Sequence, residues 1–202
     1  MLFVYNKFKL RKWKKYSSVK RLEILQALEN KLAKKNHRDP IPVVVHENAN
    51  WNCFGMFSVV HGKKLIYVHE NLILDPGLRF HALETIIHEG RHATQYVAIT
   101  KKNLHWWNFR EKRWKTNFSG YVSATEDAIM YNNQEVERDA QRYTIRMLEK
   151  LEYKYHNEED FYKTVNRNIN RYEKAEQDAK RKYGLFYRYK MRKRIDDRSN
   201  WR

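Results

Sequence analysis

Glycine and proline are scarce, with six and three in 202 residues, which excludes collagen-like and low-complexity chains. A single cysteine, Cys53, leaves no partner for an internal disulfide. The simplest setting is then a reducing one, and the cytoplasm is the expected location. Apolar runs are short: Val43-Val44-Val45 falls far below the roughly 20 residues that span a bilayer, and Met1 to Tyr5 is too short for a signal-peptide core. Neither a transmembrane segment nor an export signal is expected, which disfavours a secreted toxin. Acidic residues are the minority charge, 24 against 41 Lys and Arg, for a net charge of +17. What is present suffices to fold: 42% of residues are hydrophobic and 14% aromatic, and no Gly/Ser linker or internal repeat divides the chain. The expectation is one domain over residues 1–202, with a core at about 43–150 and basic helical extensions at both ends; the oligomeric state is left open.

The charge concentrates at the ends. Met1 to Lys20 carries seven basic residues and no acidic one, interleaved with Phe3, Tyr5, Phe8, Trp13 and Tyr16. Leu185 to Arg202 repeats the mixture, with Arg188, Lys190, Arg192, Lys193, Arg194 and Arg198 beside Phe186, Tyr187, Tyr189 and Trp201. Basic residues among aromatics can bind phosphates and stack on unpaired bases, so nucleic acid is a candidate partner. The same pattern also suits solvated helices whose aromatics face inward.

Leu22, Leu25, Leu28 and Leu32 recur at helical spacing after Ser17-Ser18, predicting a helix from about Val19 to Lys35. Beyond Pro42 the character changes. Val43 to Val45 reads as a strand, and Phe54 to Val60 and Leu65 to Val68 flank His61-Gly62-Lys63-Lys64 as a hairpin. After Asp75-Pro76-Gly77 a helix spans roughly Arg79 to Ile99. Residues 100–120, with Trp106, Trp107 and Trp114, read as a loop or short helices. A helix from Ala124 or Asn132 to about Tyr155 and one or two charged helices from Glu158 complete an α+β chain.

The helix at Arg79 to Ile99 contains Ile86-Ile87-His88-Glu89-Gly90-Arg91-His92, an HExxH motif. Two histidines four apart share one helix face and can reach one zinc ion. Glu89 is then placed to take a proton from a zinc-activated water and return it to a leaving amine, the chemistry of a metallopeptidase. A shuffled chain of this composition would contain HExxH about 0.03 times, so context matters. Leu83, Ile86, Ile87, Ala93 and Val97 put the motif in a buried wall. The competing reading is a pair of surface histidines with an ion-paired glutamate.

A catalytic zinc site usually has three protein ligands and an open position. Glu135 and Glu137 are the principal candidates for the third. Taking about 100° per residue from Val136, the apolar residues Val136, Ala140, Tyr143, Met147 and Leu151 cover about −20° to +60°, with Glu137 at about 100° and Glu135 at about 260°. Glu137 flanks the buried stripe and is favoured. Glu135 retains an argument of its own, since it stands one turn from Asp139. Asp139 could accept a hydrogen bond from a ligand histidine and fix its tautomer. His81, His105 and Glu126 are weaker candidates, and ion pairing of the acidic cluster with Arg138 and Arg142 would be the ordinary alternative.

HExxH followed by a glutamate from a later helix resembles the gluzincin branch of zinc metallopeptidases. The wording His88-Glu89-Gly90-Arg91-His92-Ala93-Thr94-Gln95, with Asn133-Gln134 and Glu137-Arg138-Asp139-Ala140, is similar to small zincin-like proteins of bacterial mobile elements and phages. The similarity covers roughly Val43 to Met147. It implies a minimal zincin fold, a short twisted sheet packed on the HExxH helix, with an edge strand that holds a peptide substrate by strand addition. It also implies Zn²⁺ on His88, His92 and Glu137, with Glu89 as general base. Two candidate glutamates and the long basic ends depart from the pattern.

A tyrosine near the metal commonly helps an oxyanion form. Tyr96, Tyr121 and Tyr131 are available, and Tyr131 is chosen because it precedes the ligand segment. Cys53, in a strand-like alternation, reads as a small buried residue rather than a nucleophile. The leading expectation is a zinc metallopeptidase acting on protein or peptide; the alternative is a basic nucleic-acid-binding protein with an inactive or structural zincin-like core.

Overall fold

The computed structural model describes residues 4–46, 53–100 and 109–199. His105, Trp106, Trp107, Phe3 and Trp201 lie outside the described residues. The chain is α+β, and it divides into two compact units: Met1–Thr94 with Tyr143–Val165, and Gln95–Arg142 with Asn166–Arg202.

In the first unit, a 3-10 turn at Tyr5–Phe8 leads into the short helix α1 (Leu10–Trp13) and then α2 (Ser18–Lys35). The Ser17 side chain caps α2 by accepting from the Lys20 N–H at 3.2 Å, as the Ser-Ser signal implies. Three strands follow: β1 (Val43–His46), β2 (Gly55–Val60) and β3 (Lys63–His69). Their order is β1-β3-β2, with β1 parallel and β2 antiparallel to β3. The β2–β3 hairpin turns at His61 and Gly62, both at positive φ (47° and 76°). That is the primed two-residue turn whose twist matches the strands. Helix α3 (Asn71–Leu74) precedes Asp75, which accepts from the Gly77 N–H at 2.7 Å, and α4 (Arg79–Thr100) follows.

The unit's core joins Leu25, Leu28 and Leu32 of α2, Ile66 and Val68 of β3, and Leu83, Ile86 and Ile87 of α4. Tyr5, Phe8 and Trp13 are also buried in it, with Phe8 and Trp13 stacked at 4.9 Å. These aromatics of the basic N-terminal end face inward while its lysines stay in water, which is how long cationic side chains balance burial against hydration. Cys53 corrects the expectation of a buried strand residue. It lies before β2 and is exposed, because the strand begins only at Gly55.

The second unit contains α5 (Phe109–Ser119), α6 (Ala128–Asn133), the start of α7 (Glu135–Glu149), most of α8 (Glu159–Tyr183) and α9 (Tyr187–Ser199). Val122, Met130, Ala179, Tyr187, Met191 and Ile195 form its core. Where a single helix through Asn132 to Tyr155 is expected, the chain breaks at Gln134, whose backbone is extended. The Gln134 side chain explains the break: its Oε1 accepts from Asn117 at 2.9 Å and its Nε2 donates to the Val122 carbonyl at 2.9 Å. Asn117 in turn accepts from the Val136 N–H at 2.8 Å and so caps α7 from α5, satisfying an amide that a helix start leaves orphaned. Phe186 and Tyr189 are exposed. Among the described residues, no helix is long and apolar enough to cross a membrane.

Candidate metal centre

Helix α4 carries His88, Glu89 and His92 in its central turns. The two imidazoles lie on one face with Nε2 atoms 3.1 Å apart and rings edge to face. Two ring nitrogens this close require an N–H of one ring or a cation between them, since two lone pairs would repel.

Local packing explains why α4 holds this face in place. Glu29 and Arg38 form a fully buried ion pair, with Nη1–Oε1 at 2.5 Å and Nη2–Oε2 at 2.9 Å. Arg38 also donates to the Gly90 carbonyl at 3.1 Å and to Thr94 Oγ1 at 3.0 Å, so one guanidinium braces the turn between the two histidines. A side chain at position 90 would meet Glu29 Oε2 at 3.1 Å and Arg38 at 3.4 Å; the glycine within the motif makes room for the pair.

On the sheet side, Glu89 is buried and accepts from the Phe57 N–H at 2.7 Å. Phe57 pairs with Ile66, whose N–H goes to Pro42 in the other direction. The Phe57 amide therefore points away from β3, to the edge of β2 that pairs with no strand among the described residues. Gly55 allows this approach: a Cβ there would lie 2.3 Å from Thr85 Cγ2 and 3.3 Å from Glu89 Cγ. The thiol of Cys53, though its residue is exposed, is pushed up to about 11, first by partial burial and then by the Glu89 carboxylate. It is a poor nucleophile at neutral pH.

Glu137 stands in the first turn of α7 and is buried. Tyr121 donates to its Oε1 at 2.7 Å. Burial pushes the Tyr121 hydroxyl well above the ordinary phenol range, and the Glu137 charge pushes it further, so it stays a donor. Asp139 accepts from Gln95 Nε2 at 2.9 Å, and the same amide donates to the Val136 carbonyl at 2.9 Å. Glu135 goes elsewhere: both Nε and Nη2 of Arg192 donate to its Oε1, at 2.9 and 2.7 Å.

Among the described residues, His88, His92 and Glu137 are grouped so that their ligand atoms all lie within 4.8 Å of one another. In a tetrahedral site with bonds of about 2.0–2.1 Å, ligand atoms stand roughly 3.3–3.4 Å apart. The histidine pair, at 3.1 Å, is slightly closer than that separation, and two imidazoles with one carboxylate are a donor set that zinc takes. The group could hold a metal ion.

Of the remaining residues singled out from sequence, Tyr131 makes an edge contact with Tyr121 at 6.1 Å, His81 packs edge-on against Phe54, and exposed Glu126 pairs with Arg198 at 3.0 Å. Tyr121, which is not chosen from the sequence, holds the Glu137 carboxylate. The helical wheel locates Glu137 but carries no signal for a tyrosine sixteen positions upstream. No protein-family model, curated protein or solved structure matches the chain.

Proposed function

We propose that the chain is a zinc-dependent metallopeptidase of zincin type, with His88, His92 and Glu137 as ligands and Glu89 as general base. The grouping of those three ligand atoms within 4.8 Å carries the reading. Zinc held there supplies Lewis acidity and lowers the pKa of water at its open position. Glu89 takes the proton of the attacking water and delivers it to the departing amine, so the carboxylate ends as it began. Its hydrogen bond from Phe57 holds it beside the edge of β2 away from β3. An extended peptide adding to that edge by main-chain hydrogen bonds would run past Glu89. Tyr121 orients Glu137, and Tyr131 stands against Tyr121.

Metal analysis tests the reading directly. The wild-type chain is expected to hold about one zinc, which His88→Ala and Glu137→Ala lose and Glu135→Ala retains. Zinc loss in Glu135→Ala with retention in Glu137→Ala would reverse the ligand choice. Cleavage of a peptide library by wild type but not by Glu89→Gln, with zinc retained in both, would separate hydrolysis from passive metal binding. A second reading, nucleic-acid binding by the basic C-terminal end, draws on exposed Phe186 and Tyr189 beside Lys190; it requires an affinity for single strands that falls steeply with salt.

A further inference from the structure

Within the second unit, a cavity of about 200 Å³ opens between α5, α7 and α9. Arg113, Arg138, Arg142, Arg188 and Arg192 line it, and Glu135 is the one carboxylate among its lining residues. Five arginines stand against Glu135 in the lining and Glu176, which pairs with Arg138 and Arg188; the surplus positive charge favours an anion.

The arginines divide into two sets. Two are already committed. Arg138 is buried, pairs with Glu176 at 2.9 Å and donates to Asn133 and Tyr172, while Arg192 is held by Glu135. The other three have N–H groups to spare. Arg142 uses its Nε on the Arg138 carbonyl, and Arg188 uses its Nε on the Tyr187 hydroxyl with Glu176 at 3.6 Å. Arg113 has no carboxylate partner among the described residues. Met191 and Ile195 give the cavity an apolar floor. A second cavity of about 280 Å³ shares Arg113, Glu135, Arg192 and Ile195 with the first, and Lys112, Thr116, Asn117 and Asp196 extend it.

We propose that this pocket binds a phosphomonoester: the phosphate sits among Arg113, Arg142 and Arg188, the last of which also pairs with Glu176, and the group that bears it occupies the adjoining cavity. Guanidinium forks match a tetrahedral dianion with paired N–H···O bonds. A concave pocket with a polar annex suits a compact ligand with one terminal phosphate better than a continuous diester backbone, which follows an open groove. The assignment does not depend on the metal centre.

The test is calorimetric titration of the full chain at constant ionic strength. Three probes are used: inorganic phosphate, phosphoserine, and an oligothymidylate lacking terminal phosphates. Phosphate and phosphoserine are expected to bind. Their affinity should rise as pH passes about 6, where a monoester becomes a dianion. The double variant Arg113→Ala/Arg142→Ala, at two exposed positions, should bind at least tenfold more weakly with an unchanged unfolding midpoint. Glu135→Gln, which removes the opposing charge and releases Arg192, should bind severalfold more tightly. Undetectable phosphate binding at low ionic strength would overturn the proposal, as would equal affinity in the double variant. An oligothymidylate that displaces phosphoserine with no dependence on pH would assign the arginines to a diester backbone instead.

Discussion

Tyr121→Phe tests the metal reading without touching a ligand. The change deletes one oxygen and keeps the ring, so the edge contact with Tyr131 survives. What is lost is the 2.7 Å hydrogen bond to Glu137 Oε1, together with the hydroxyl's interaction with the Tyr131 side chain. A hydrogen bond to a charged group contributes about 1.5–3 kcal/mol, and removal of a partner that orients a metal ligand typically costs 10–100-fold in affinity, or about 1.4–2.8 kcal/mol. The two ranges agree, so zinc dissociation constants from chelator competition should rise by about 10–100-fold in Tyr121→Phe. Tyr131→Phe, which leaves Glu137 its donor, should change them by less than about threefold. The reasoning fails if Tyr121→Phe binds zinc as tightly as wild type while Glu137→Ala does not, because Glu137 would then need no fixed orientation. It fails equally if the two phenylalanine variants lose the same affinity.

Three further outcomes follow from the same contacts. Gly55→Ala forces a Cβ against Thr85 Cγ2 and should destabilise the chain by about 1–3 kcal/mol in urea unfolding, with peptidase activity falling further than zinc content because Glu89 is displaced. Glu29→Gln leaves Arg38 charged and buried and should cost about 3–5 kcal/mol, much of it recovered in Glu29→Met/Arg38→Met; no recovery would mean that the pair also positions α4. Asp127 is held at about 2: partial burial alone would raise it, but hydrogen bonds from the Met130 N–H, Lys182 and Tyr183 outweigh that. Its folded pKa lies below the ordinary 3.8, so its contribution is complete above pH 4 and lost as pH falls through 2. Asp127→Asn should therefore lower the urea midpoint at pH 7 and leave it nearly unchanged at pH 2.

Much of the element pattern was legible because local chemistry decides it. Ser17 as a cap, the His61-Gly62 turn and the leucine period of α2 are each settled within a few residues. The break at Gln134 was not, because its cause is a side chain satisfied by Asn117 and Val122. Cys53 was misplaced for a similar reason. Alternation extends the strand on paper, while ladder pairing starts it at Gly55.

The sequence by itself determined the HExxH spacing and, through the apolar stripe of α7, which glutamate faces inward, because helical periodicity converts order along the chain into direction. Only the tertiary structure decided that Glu135 is taken by Arg192, that Tyr121 holds Glu137, and that Gly90 leaves room for the pair of Glu29 and Arg38. Those are meetings of residues far apart in the chain. Spacing carries no information about them, since which donor reaches which acceptor is set by how the elements pack.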